Sequence, residues 1–192
     1  MFSARRGATR PRPRVALIAI LIGAIWVFGG TLPLGTPHSD PPTLAYQVRV
    51  VTFSLMLAAF APAASMIVAL ARPSRWVLGA AAIVAIGGIV GGIGNLLEDL
   101  VRIAGAEYLY GLGLFTLLIG LVGTTIVLLV RREVVPALLA GLSVAGFMSG
   151  AGHGPNIFPI VWFGFAAWIL IRRPPSTVLP GSGQLEHRTG RS

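Results

Sequence analysis

WVLGAAAIVAIGGIVGGIGNLLEDLVRIAG, Trp76 to Gly105, carries no charged side chain as far as Leu97 and then three, Glu98, Asp99 and Arg102, within five residues. At 1.5 Å per residue the uncharged part is about 33 Å long as a helix, enough to cross about 30 Å of hydrocarbon. In that solvent every backbone N–H and C=O must be satisfied internally, so the stretch reads as a transmembrane helix whose polar end emerges at an interface.

The rest of the chain repeats the pattern. Of 192 residues 55% are hydrophobic and 11% charged, with 25 glycines and a mean hydropathy of +0.82, values that exclude an ordinary soluble domain. Further uncharged runs cover Val15 to Leu34, Val50 to Ala71 and Tyr108 to Val130. A run of about 38 residues, Val134 to Ile171, is too long for one span and is punctuated by SGAGHGPN, Ser149 to Asn156. The expected fold is all-α, a polytopic transmembrane helix bundle of six spans arranged as three antiparallel hairpins at about 14–72, 75–131 and 132–173. Residues 1–14 form an Arg-rich cytoplasmic N-terminus, 15–173 the transmembrane domain and 174–192, rich in Pro, Gly and Ser, a disordered cytoplasmic tail.

Arginine placement orients the spans. All fifteen basic residues are Arg, which with the abundant Ala, Gly and Pro suggests a GC-rich bacterial source. Thirteen of them, Arg5, Arg6, Arg10, Arg12, Arg14, Arg72, Arg75, Arg131, Arg132, Arg172, Arg173, Arg188 and Arg191, fall on one side, leaving Arg49 and Arg102 on the other. By the positive-inside rule the richer side is cytoplasmic, placing both termini inside a bacterial cytoplasmic (inner) membrane. The net charge of +9 is then a topology signal with affinity for anionic membrane lipids, and nucleic acid is not an expected partner. The first apolar stretch exceeds a signal-peptide core and no A-x-A site follows, so it reads as a retained anchor.

Small residues predict close packing. GGIVGGIG sets Gly87 against Gly91 and Gly88 against Gly92 at the four-residue spacing that lets helices approach, and Gly146 and Gly150 repeat it. The contact joins helices of one chain or two copies in a homodimer. Pro62 should kink the second span and free a carbonyl for Ser65, Ser54 or a neighbouring helix. Trp76 reads as an anchor at the inner interface, and Tyr46, Tyr108 and Tyr110 as anchors at the outer one.

Two carboxylates at a helix C-terminus would oppose its dipole, so the helix of the opening stretch should continue past Glu98 and Asp99 and stop at Gly105. On such a helix Asn95, Glu98, Asp99 and Arg102 share an arc of about 100°, with Arg102 four residues after Glu98 and three after Asp99. The expected result is one polar stripe with an internal ion pair, capping the bundle or lining an outward cavity. Glu107 opens the next helix, and His153, with His38 and Asp40, lies in loops on the same side.

Chemistry is harder to find. Absence of cysteine removes disulfides, thiolate ligands and cysteine nucleophiles. The histidines and carboxylates show no metal-ligand spacing, no cofactor motif is present, and Ser143 and Ser149 near His153 lack the G-x-S-G element of intramembrane serine proteases. No metal, cofactor or catalytic residue is therefore expected. The candidate ligand or ion-pair residues are Asn95, Glu98, Asp99, Arg102, Glu107 and His153. Asn95 to Asp99, followed by Tyr108 to Leu114, resembles an N-L-L-E-D element and aromatic helix start in small multi-pass proteins of actinobacteria without established activity. Three function classes stay open: a non-enzymatic accessory or lipid- or small-apolar-ligand-binding protein, a small-solute or proton-coupled transporter, and a membrane-embedded enzyme acting on a lipid or isoprenoid with Glu98 or Asp99 as acid or base.

Overall fold

The computed structural model describes residues 12–31, 43–72, 74–151 and 157–171, and every element among them is helical. In chain order they are α1 (Arg12–Thr31), α2 (Leu44–Ala58), α3 (Phe60–Leu70), α4 (Arg75–Leu96), a π-helical turn (Leu97–Val101), α5 (Ala106–Val130), α6 (Val134–Ala151) and α7 (Phe158–Ile171). Three segments are long and apolar enough to cross a membrane: Leu44–Leu70, Arg75–Val101 and Ala106–Val130. The other apolar stretches are shorter, Arg14–Gly29, Val134–Met148 and Phe158–Ile171. Length thus carries three of the six expected spans. The 14 residues of α7 extend only about 21 Å.

Leu44–Leu70 starts six residues before the expected Val50. Thr43 caps it, its Oγ1 accepting the Tyr46 N–H at 3.3 Å, so Tyr46 and Arg49 belong to the helix. The α2–α3 boundary falls at Ala59, three residues before Pro62, whose missing N–H and bulky ring disturb the carbonyl four residues earlier, on Ala58. The ladder closes around it, with Ala59 N–H on Leu55 O at 2.9 Å and Ala63 N–H on Ala59 O at 3.2 Å. The serines do not serve the freed carbonyl as expected: Ser54 donates to Val50 O at 2.9 Å and Ser65 to Ala61 O at 3.1 Å.

Helix α4 is the centre of one half of the bundle, packed on α5 along its length and on α2 and α3 opposite. Its glycines make both contacts possible. A Cβ at Gly92 would lie 2.8 Å from Ser54 O and one at Gly88 2.5 Å from Leu57 O, while at Gly87 and Gly94 it would strike the Leu117 and Tyr110 backbones of α5. Gly91 faces Gly113 of α5. Gly146 on α6 lies against the backbone of Phe158, 2.9 Å from a notional Cβ. Gly150 lies in α6, and its surroundings fall outside the described residues. The other half pairs α1 with α7, and α7 with α6. Phe60, Phe158 and Trp162 fill the middle, where each is almost wholly buried.

At the Arg131 end the loops are tied together. Glu133 accepts the Arg72 N–H at 2.8 Å and the Arg131 Nε–H at 3.2 Å, joining the α3–α4 and α5–α6 connections.

Candidate functional site

Asn95 is the last polar residue within α4 and it turns inward. Its side chain is 5% exposed, and its Nδ2 donates to Ser54 Oγ at 3.0 Å and to Val50 O at 3.3 Å. Ser54 in turn donates a hydrogen bond from its hydroxyl to Val50 O, so the three groups form a short relay of hydrogen bonds between α2 and α4. An amide buried this deeply needs such partners. Asn95 therefore fastens the helices beneath the polar end and does not join Glu98, Asp99 and Arg102 in one stripe.

Beyond Asn95 the α-helix does not continue to Gly105. It widens into the π turn, and Arg102 closes it in the left-handed conformation at φ 59°. The Arg102 and Ile103 N–H groups both bond the Leu97 carbonyl, one and two residues farther back than an α-helix reaches. Gly105, at φ 88°, is left-handed as expected, yet it stands at the N-cap of α5 and not at the end of the preceding helix. The π turn and the left-handed Arg102 thus replace the continuous α-helix on which the shared arc and the ion-pair spacing rest.

The side chains regroup around α2 and α5. Asp99 accepts a hydrogen bond from the Tyr46 phenol, and the charges of Asp99, Glu98 and Arg102 all act on that phenol. Glu98 is repelled by Asp99 and by Glu107, which lies in the first turn of α5. Tyr110, one turn along α5, lies within reach of Glu98 and Asp99 and is held by Phe53 of α2 at 6.5 Å between ring centroids and by Gly94 beneath its backbone. Tyr46, Glu98, Asp99 and Tyr110 are half-buried, whereas Arg102 and Glu107 are exposed.

The cluster thus combines three carboxylates, two phenols and the Arg102 guanidinium at one end of the α2–α4–α5 group, where Arg49 lies one turn after Tyr46 on α2. Among the described residues no three His, Cys, Asp or Glu side chains are grouped to hold a metal ion, so Glu98, Asp99 and Glu107 share a field without converging on a point. His153, His38 and Asp40 lie outside the described residues. Tyr46 and Tyr110 join the site although the sequence reads them as interface anchors. The available signal was the helix cap at Thr43, which puts Tyr46 on the first turn of α2 and so across from the end of α4. Compared with known proteins, the chain matches no family model, no curated protein and no solved structure.

Proposed function

We propose that this chain is a multi-pass protein of a bacterial cytoplasmic membrane, related to the small actinobacterial proteins it resembles, that binds a lipid or small apolar ligand at its extracytoplasmic end. Six helices enter the membrane in this reading, α1, α6 and α7 alongside the three long segments, and both termini are cytoplasmic. The thirteen-to-two division of arginines supports the orientation. One observation carries the ligand class: Glu98 stands in the field of Asp99 and Glu107, so that even with Arg102 and Arg49 the described residues at this end carry more carboxylates than guanidiniums, a surplus of negative charge that an amphiphile with a cationic head neutralises. The apolar flanks of α2 and α5, with Leu44 and Tyr108 strongly exposed, suit the tail of such a molecule.

The test compares dodecylamine with dodecanol on the purified protein in a neutral detergent. The amine should raise the melting temperature in a saturable way, the alcohol should not, and Glu98→Gln with Asp99→Asn should abolish the difference. Equal responses to the two, or a response that survives both substitutions, remove the cationic-ligand reading. Cysteines placed singly at Ser74 and Ala104 test the topology in intact cells, since an impermeant reagent should label Ala104→Cys alone.

Proton-coupled transport is a second reading, favoured by the hydrogen bond between Tyr46 and Asp99, a phenol–carboxylate pair able to pass a proton. The cluster's position at the end of the bundle counts against it, because coupling sites sit near the membrane midplane.

A further inference from the structure

Trp26 and Trp162 are buried in the middle of the bundle, and among the described residues the indole Nε1–H of each has no hydrogen-bond partner. Both belong to one aromatic cluster. The Trp26 ring of α1 lies 4.2 Å, centroid to centroid, from Phe158 at the start of α7, and Trp162, one turn along α7, lies 5.9 Å from the same ring. Phe60 of α3 stands 5.2 Å from Phe158 and 5.9 Å from Phe147 of α6, so rings of four helices join in the cluster.

An indole N–H taken out of water without an acceptor carries a desolvation penalty that a phenylalanine at the same position avoids. Each of the two indoles packs against a neighbouring aromatic ring. Trp26 meets Phe60 at 85° and 5.9 Å, and Trp162 meets Phe165 at 85° and 6.4 Å, edge-on arrangements in which a π face is a weak acceptor. A carbonyl oxygen would bind either indole more strongly. Lipid hydrocarbon supplies none, and among the described residues none is bonded to either indole, whereas a molecule that dissolves in the membrane can bring one. In the α1–α7 seam the Phe163 ring covers Gly23, one turn before Trp26, where a Cβ would meet it at 2.9 Å, and that residue is partly exposed at the bundle surface.

We propose that the α1–α7 seam binds a membrane-soluble molecule through a carbonyl oxygen that the Trp26 and Trp162 indole N–H groups receive, with Phe158 packed against it. A quinone ring and the ester of a lipid acyl chain both offer that oxygen. The site is separate from the acidic end and does not rest on the ligand proposed there. Phe163 turns aside to admit the molecule, and the two indoles hold its oxygen.

The full chain, labelled with ¹⁵N in its indoles and held in an ether detergent that has no carbonyl, gives one indole N–H signal for each of its four tryptophans. Titration with a short-chain naphthoquinone, a short-chain diacylglycerol and an alkane of similar size separates the sources. The Trp26 and Trp162 signals should move downfield and saturate with the quinone or with the ester, whichever is the ligand, while Trp76 stays in place and the alkane has no such effect. Trp26→Phe and Trp162→Phe should each weaken binding about fivefold or more, the scale of one hydrogen bond, and Glu98→Gln should not. Absence of saturation with both carbonyl probes, an equal response to the alkane, or unchanged affinity in both phenylalanine variants overturns the proposal. If a phenylalanine variant does not fold, the titration of the unsubstituted chain decides alone.

Discussion

At the Arg131 end of the bundle one carboxylate serves two donors, Glu133 taking the Arg72 N–H and the Arg131 Nε–H; at the Glu98 end one carboxylate, Glu98, stands in the field of two others, Asp99 and Glu107. Each end also places an arginine in the left-handed region, Arg132 at φ 57° and Arg102 at φ 59°. A left-handed arginine therefore marks a turn and nothing more. What sets the Glu98 end apart is a surplus of carboxylates and a π turn; half-burial does not, because the Glu133 side chain is itself only 11% exposed. Glu133 closes a loop, while Glu98 and Asp99 are held beside charges of their own sign, an arrangement that stability alone does not favour.

The largest effect should come from the seam that both ends share. Gly94 sits against the backbone of Tyr110, which cannot move aside as a side chain could. Gly94→Leu should lower stability by about 3 kcal/mol or more, beyond ordinary overpacking, whereas Gly111→Leu, with no atom within 4 Å of its notional Cβ, should melt close to the parent. Similar melting of the two in detergent would mean that α5 is not seated on α4 there, and the carboxylates would lose their common frame.

Next is the fastening below the polar end. Asn95→Leu removes the bonds to Ser54 and Val50 at a cost of about 1 to 2 kcal/mol, the upper part of the range for polar contacts between membrane helices. Because the relay joins α2 to α4, the same substitution should loosen Tyr46 from Asp99, read as faster hydrogen exchange in the first turn of α2. A stability loss with unchanged exchange would separate Asn95 from the site altogether.

Asn95 also shows what the sequence could and could not reveal. Its helix was legible from uncharged length, and the small-residue spacing at Gly87, Gly88, Gly91 and Gly92 pointed to close packing. Its direction was not, because the 100° step that places it beside Glu98 and Arg102 assumes an unbroken α-helix. A π turn has no distinctive composition, and it overturned the angular argument within one turn. The Pro62 break was readable for the opposite reason, since a missing N–H is a covalent fact. The Tyr46–Asp99 bond depends on how α2 docks beside α4, which no spacing within either helix encodes. Span number was limited similarly: charge-free length does not say how many residues of Val134 to Ile171 a connection consumes.

The contrast between the ends sharpens with single neutralisations. Glu133→Gln weakens two contacts to a charged acceptor and should cost about 1 kcal/mol, discounted for exposure. Glu98→Gln removes the repulsion from Asp99 and Glu107 and should leave stability unchanged or raise it by about 0.5 kcal/mol. Denaturation of both variants side by side at neutral pH and low salt measures the difference. If Glu98→Gln costs as much as Glu133→Gln, its carboxylate is as fully compensated as the one at the loop end, and the surplus charge that suggests a cationic ligand disappears.

The smallest effect is the most discriminating between the two arginines. A non-glycine residue in the left-handed region costs about 1 to 2 kcal/mol, and glycine, which avoids that strain, gives back about 0.5 to 1 kcal/mol through its freer unfolded chain. Arg132→Gly and Arg102→Gly should therefore each stabilise the protein by about 0.5 to 1 kcal/mol if backbone conformation is all that matters. At Arg132 nothing else is expected. At Arg102 the guanidinium is the cation beside Tyr46, Glu98 and Asp99, so its removal sets the carboxylates against one another and should cancel the gain while tightening the binding of dodecylamine. Equal stabilisation at both positions, with unchanged amine affinity, would show that Arg102 is a turn residue like Arg132 and takes no part in the field of the acidic cluster.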